Sequence, residues 1–223
     1  MTVAPVYRYF AEEDWARDFI ERGQLQLCTM AYYRGFEDAD IRRDPDDGRL
    51  MYHPSDGLQM NHENGQVYNL EGYRFTASVK AAEMFVYCMS NERSEFLAER
   101  FESPFCVEIR KPISLAGKML SSIRLRRHLD GKRIYHGPVD YRGQARIPAA
   151  DWALPERLAF IKPNDWAWQN EYRFIIGRKG TFAVENVELA LVNGPGERAP
   201  AIERAPLRLS LGNLSKIAEL QRF

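Results

Sequence analysis

The sequence predicts an α+β fold, and three observations point there. Short runs rich in aromatic and β-branched residues recur along the chain, the strongest being Glu-Tyr-Arg-Phe-Ile-Ile-Gly at 171–177. Amphipathic helical stretches lie between some of these runs but do not alternate with them in a βαβ rhythm. No internal repeat, heptad or low-complexity tract interrupts the pattern. The 223 residues suit one domain, 1–223, large enough to bury a core without disulfide staples.

The elements follow in order. Residues 6–10, Val-Tyr-Arg-Tyr-Phe after Pro5, predict a strand. Residues 11–22 predict a helix with Trp15, Phe19 and Ile20 on one apolar stripe, acidic Glu12, Glu13 and Asp14 at its start, and Gly23 as its stop. Residues 24–29 alternate polar and apolar, as a half-buried strand does. The stretch 32–48 carries Arg34, Glu37, Asp38, Asp40, Arg42, Arg43, Asp44, Asp46 and Asp47, which predicts a solvated loop or the wall of a polar cleft. Residues 57–65 are weakly patterned. Strands are expected at 73–79, 84–89, 105–109, 133–141, 171–177, 187–192 and 207–211. Helices are expected at 90–101, capped by Ser90 or Asn91, at 114–129, and at 213–221. Residues 162–165 read as a turn, and 194–200 as a Pro/Gly hairpin loop or linker.

Composition narrows the class. Lys plus Arg and Asp plus Glu each total 31, so net charge gives no general attraction to nucleic acid. Arg124, Arg126, Arg127 and Lys132 nevertheless cluster near Tyr135, with Arg142 and Arg146 beyond. This is either a nucleic-acid face or a solvated helix end whose charges complement the dipole. Cys28, Cys88 and Cys106 are three in number and form no C-x-x-C pair, which predicts reduced, mostly buried thiols. With no signal peptide and no apolar run of membrane-spanning length, a cytoplasmic protein with no membrane partner is expected.

Several chemistries lack their residues. His53, His62, His128 and His136 show no metal-ligand spacing, and no metal site is expected. The acidic residues Asp44, Asp46 and Asp47 resemble a calcium loop, but Ser55 stands where its bidentate Glu belongs. No phosphate-binding glycine loop and no G-x-S-x-G elbow occurs. Cys88 lies in the apolar run Phe-Val-Tyr-Cys-Met without a basic neighbour in sequence, which favours a buried thiol over a nucleophile.

The most unusual segment is Lys162-Pro-Asn-Asp-Trp-Ala-Trp-Gln-Asn-Glu-Tyr-Arg173. Gln169 and Glu171 share a face if a strand begins there, and Trp166 and Trp168 supply an apolar wall. A carboxylate so placed can stabilise a developing sugar cation or hold a ribose hydroxyl. Alternatively, Glu171 pairs with Arg173 or another Arg at a sheet edge while the tryptophans fill core.

The order of motifs resembles a bacterial family of unknown function, over most of residues 6–178. The matching segments are Tyr7-Arg8-Tyr9, Gly23-Gln-Leu-Gln-Leu27, Tyr33-Arg34-Gly-Phe-Glu37-Asp38, Cys88-Met89-Ser90 and Lys162 through Arg173. That family is in turn similar to the ADP-ribosyltransferase superfamily. The resemblance implies split, mixed or antiparallel β-sheets with flanking helices, and NAD as the bound dinucleotide. It also implies mono-ADP-ribosyl transfer, of toxin or phage-defence type, to a protein or nucleic-acid acceptor, or a related NAD-glycohydrolase activity. Carried onto this chain, Glu171 and Gln169 are the catalytic pair. Arg8 with Tyr9, or Arg34, holds NAD; Ser90 orients the nicotinamide side; Trp168 or Phe36 stacks on a ring. The middle motif lacks a clean Ser-Thr-Ser, and Thr76 with Ser78 is an alternative to Ser90. Two further readings are a non-catalytic binding or regulatory module on the same fold, and a metal-dependent hydrolase or nuclease using the acidic loop 37–47.

Overall fold

The computed structural model describes residues 4–34, 44–143, 146–194 and 205–223. The strands are β1 (Val6–Phe10), β2 (Gln24–Thr29), β3 (Arg49–Tyr52), β4 (Leu58–Asn61), β5 (Val67–Leu70), β6 (Tyr73–Ser78), β7 (Met84–Ser90) and β8 (Phe105–Ile109). They continue with β9 (Tyr135–Pro138), β10 (Asp140–Arg142), β11 (Ile161–Pro163), β12 (Glu171–Gly177), β13 (Glu188–Asn193), β14 (Leu207–Ser210) and β15 (Ala218–Arg222). The helices are α1 (Glu13–Arg22), α2 (Met30–Tyr33), α3 (Glu95–Arg100), α4 (Pro112–Ile123) and α5 (Pro155–Leu158). Mixed α+β architecture is therefore present, with antiparallel sheets and few helices.

One eight-stranded sheet organises the molecule, in the order β14-β2-β7-β1-β8-β15, with β12 on β7 and β9 on β12. Its two faces follow from strand alternation. On β12, Tyr172, Phe174 and Ile176 enter the core beneath α1 and α4, with Phe19, Leu115, Met119 and Ile123. Ile175 faces the other side, where Met30, Leu50, Ala77, Leu158 and Ile161 form a second core. Beyond that core lies a three-stranded sheet, β13-β6-β3.

The topology around β7 positions the site. β12 covers one edge of β7 along its whole length, from Gly177 opposite Met84 to Glu171 opposite Ser90. The other edge is shared. β2 pairs only with Phe85 and Val86, and β1 only with Ser90. Between these contacts β1 and β2 diverge, and among the described residues the edge of β7 at Tyr87, Cys88 and Met89 has no strand beside it. The sheet is split at this point.

Local sequence explains the elements that matter. In α1, Glu13 and Asp14 occupy the first turn, and Gly23 ends the helix in the left-handed conformation at φ 62°, its N–H reaching the carbonyls of Asp18 and Phe19. A Cβ at Gly23 would come within 2.5 Å of the Gly212 carbonyl, so glycine is required there twice over.

Five expectations need correction. Ala16 and Phe19 form the buried stripe of α1, whereas Trp15 is 60% exposed. The helix expected from 90 begins at Glu95 with Ser94 as its cap, because the backbone of Ser90 is committed to ladders with Tyr7 and Glu171. α4 stops at Ile123, and the chain then turns so that Leu129 enters the core and bridges Arg178. The expected strand 133–141 breaks at Val139 into β9 and β10, which join different sheets. The C-terminal helix expected at 213–221 is instead a turn followed by β15. Leu214 and Ile217 mimic a helical stripe, but the open edge of β8 offers backbone groups that only a strand satisfies. No helix among the described residues is long and apolar enough to cross a membrane.

Candidate functional site

The split opens into a cavity of about 380 Å³, within the range of small-molecule sites. Arg8, Tyr9, Ser90, Gln169 and Glu171 all line it, with Lys162, Arg173 and Asp47. The cavity thus brings together most of the residues singled out in the sequence, from both ends of the chain.

Glu171 begins β12 after an abrupt turn. Asn164–Gln169 is a 3-10 helix, and Asn170 closes it with φ 42° and ψ 52°, the left-handed conformation that Asn tolerates better than most residues. Gln169 therefore stands on the 3-10 turn rather than on the strand. The two side chains converge all the same, because both reach the Lys162 ammonium, 3.0 Å from Gln169 Oε1 and 3.2 Å from Glu171 Oε2. Ser90 pins the turn to β7, its hydroxyl donating toward the carbonyls of Gln169 and Asn170. The Glu171 N–H donates to the Tyr141 hydroxyl at 2.9 Å, and its carbonyl accepts from Val139. The carboxylate is held from the backbone outward.

Arg173 lies two residues along the same strand face, fully buried. Its guanidinium donates five hydrogen bonds: to Glu171 Oε1 at 2.7 Å, Glu171 Oε2 at 3.2 Å, Asp47 Oδ1 at 2.9 Å, Asp47 Oδ2 at 3.3 Å and the Ala159 carbonyl at 2.8 Å. That matches the five N–H groups of an arginine. Asp44 sits 3.7 Å from Lys162, and Arg34 Nε donates to the Asp47 carbonyl at 2.9 Å. Of the two expectations for residues 32–48, the solvated loop fails for Arg34, Asp44 and Asp47, which are 8%, 1% and 2% exposed, whereas Asp47 does form part of a polar cavity wall. Their charges enter the interior because each meets an opposite charge there.

These contacts set the titration of the site. Burial alone would raise the Glu171 carboxyl, but Arg173 and Lys162 outweigh it and hold the group well below the usual carboxylate range. Burial raises Asp44 to about 6, against the pull of Lys162. Burial also drives the Cys88 thiol well above its usual value, and the thiol hydrogen-bonds Glu171. Cys88 does acquire a basic neighbour across the sheet, since Arg173 is its partner on β12, yet it remains a neutral thiol.

Arg8 enters from the opposite wall. One terminal nitrogen donates to the Cys88 carbonyl at 2.6 Å, on the open edge of β7, and the guanidinium lies 4.9 Å from the Tyr87 ring centroid. Its Nε is buried with no hydrogen-bond partner among the described residues. Tyr9 spans from the cavity wall to α3, its hydroxyl donating to the Glu92 carbonyl at 2.9 Å.

Other candidates fall elsewhere. Arg34 does not line the cavity and acts on it through Asp47. Trp168 packs with Phe96 and Phe101 and beneath the Arg100 guanidinium, outside the lining. Thr76 and Ser78 lie on β6 in the three-stranded sheet, also outside it. Phe36 and most of the acidic loop lie outside the described residues. Of the loop's remaining acids, Asp47 has both oxygens on Arg173, Asp44 faces Lys162, and Asp46 lies 4.0 Å from Arg49.

Lys162 and Asp47 are the partners that sequence reasoning missed. Arg173 carried a signal, since a strand places residues 171 and 173 on one face. Lys162 carried only its place in the Lys-Pro turn, which β11 and the 3-10 helix fold back over the start of β12. Asp47 carried only its place in the charged stretch 32–48, and nothing in the sequence pointed to its pairing with Arg173, 126 residues away.

No family model, curated protein or solved structure matches this chain. The geometry of the cavity therefore carries the functional argument.

Proposed function

We propose that this chain is an NAD-dependent mono-ADP-ribosyltransferase acting on a macromolecular acceptor. The observation that carries the reading is a single cavity in a split sheet, lined by a strand-borne Arg8, by Ser90 and by Glu171. The residues suit a dinucleotide. Arg8 brings a guanidinium with an unused Nε, suited to a pyrophosphate oxygen, and aromatic Tyr32, Tyr33 and Trp15 line the same space. Glu171 stays ionised throughout the physiological range, as a carboxylate must to stabilise positive charge at a ribose carbon while nicotinamide leaves. Lys162 and Arg173 orient that carboxylate. Gln169, held by Lys162, lies beside it and would meet the incoming acceptor.

One observation favours a second reading, a non-catalytic module on the same fold. Both Glu171 oxygens are already engaged by Arg173 and Lys162, the arrangement of a structural ion cluster.

The test is turnover of adenylate-labelled NAD by purified protein with cell extract, wild type beside Glu171→Gln. Transfer predicts label on a macromolecule, nicotinamide release, and a fall of about 10²–10³-fold in the variant. Release without label would assign a glycohydrolase. Since Glu171→Gln also loosens the ion cluster, Arg8→Gln serves beside it, with folding followed by circular dichroism. Wild-type protein that leaves NAD intact, with the variant altering only stability, selects the non-catalytic module.

A further inference from the structure

A second cavity, of about 890 Å³, lies at the other end of β12. Arg124, Arg126, Arg127, Lys132, Arg133 and Lys179 line it, and Asp130 is the one acid among the described lining residues. In a chain with equal numbers of acidic and basic residues this is a marked segregation of charge. Two of the cations have structural work. Arg126 donates to the Arg208 carbonyl, and Arg133 donates to the Tyr135 hydroxyl. The side chains of Arg124, Arg127, Lys132 and Lys179 make no hydrogen bond or ion pair among the described residues, and all four are exposed. Charges that merely complemented the end of α4 would sit in its last turn, yet the helix stops at Ile123 and Lys132 and Lys179 come from later segments.

The groove also holds aromatic surface. Tyr135 and Phe182 pack with ring centroids 4.5 Å apart, both half-buried and both in the lining, and Leu125 stands 92% exposed beside them. Four unpaired cations around an aromatic pair, in a space too large for one phosphate, match a chain of phosphates that carries flat bases. We infer that this groove binds single-stranded nucleic acid. The inference rests on the groove alone and does not require the transferase reading. From Glu171 to Gly177 a strand runs about 20 Å, so the groove is separate from the split-sheet cavity.

The test is fluorescence-anisotropy titration of the full chain with a labelled mixed-sequence single strand. Four phosphate contacts on a single strand predict a salt slope near −3, or about 50-fold weaker binding at 200 mM than at 50 mM salt. Arg127→Glu/Lys132→Glu/Lys179→Glu should bind at least about tenfold more weakly at low salt, with a flatter slope. Lys80→Glu/Lys216→Glu, exposed elsewhere, should bind as wild type does. If the triple variant fails to fold, the wild-type salt slope and a competition with inorganic polyphosphate still decide. Equal affinity for polyphosphate, preference for anionic phospholipid vesicles, or no salt-dependent binding would each overturn the inference.

Discussion

Replacing Arg173 with methionine keeps roughly its length and apolar stem but removes all five N–H donors. The buried carboxylates of Glu171 and Asp47 then lose their shared cation, and the Ala159 carbonyl loses its donor. Breaking a buried ion pair by removing one partner costs about 3–5 kcal/mol. That is a shift of the unfolding equilibrium of at least about 100-fold. Glu171 retains Lys162 at 3.2 Å, which places the loss toward the lower end. Arg173→Lys keeps the charge without the fork, and should lose about 1–3 kcal/mol. The pH dependence supplies an internal check. A carboxyl whose folded value lies below its unfolded value stabilises the fold above the unfolded value, and this contribution is lost as pH falls through the folded one. Glu171 is such a group, and Arg173 is the largest of the charges that lower it. The gap between wild type and Arg173→Met should therefore be widest near neutrality and narrow as pH drops below about 4. Urea titrations at pH 7 and at about pH 3, below the ordinary carboxyl range, measure both quantities. A loss below about 1 kcal/mol at pH 7, or a gap that widens on acidification, would refute the account of the cluster.

Three further outcomes follow from other parts of the structure. Asp44, raised to about 6, favours the fold below its unfolded value and loses that contribution as pH rises through about 6, so Asp44→Asn should abolish the corresponding step in stability between pH 4 and pH 7. Asn170→Ala should cost about 1–2 kcal/mol in urea unfolding, because alanine resists φ 42° and the side-chain bond to Glu92 is lost, with Asn170→Gly milder. Leu214→Ala should cost about 2–5 kcal/mol by thermal or urea unfolding, because this C-terminal residue is fully buried in the core beside α1.

Much of the fold was legible because the strongest signals are local. β8 and β12 have the bounds that their β-branched and aromatic runs predict, and α1 has the stop that Gly23 predicts. The errors share a cause. Ser90, Leu129, Leu214 and Ile217 carry helical patterns but lie where a sheet edge or the core makes a larger demand on them. The candidate site shows the same division. Glu171 stood out through its place at the head of a strong strand, while Trp168 packs in a satellite cluster with Phe96 and Phe101, since an aromatic residue fills such a cluster as readily as a ligand wall.

What the sequence by itself determined is the mixed α+β class, most of the strands, and the prominence of the segment that ends in Glu171-Tyr-Arg173, all of them fixed by side-chain periodicity and backbone preference within a few residues. What only the tertiary structure decided is the split between β1 and β2 along β7, the burial of Asp44 and Asp47, and the meeting of Arg8 with Glu171 around one cavity. A buried charge takes whichever opposite charge the packing brings near, and that pairing crosses more than a hundred residues from Asp47 to Arg173.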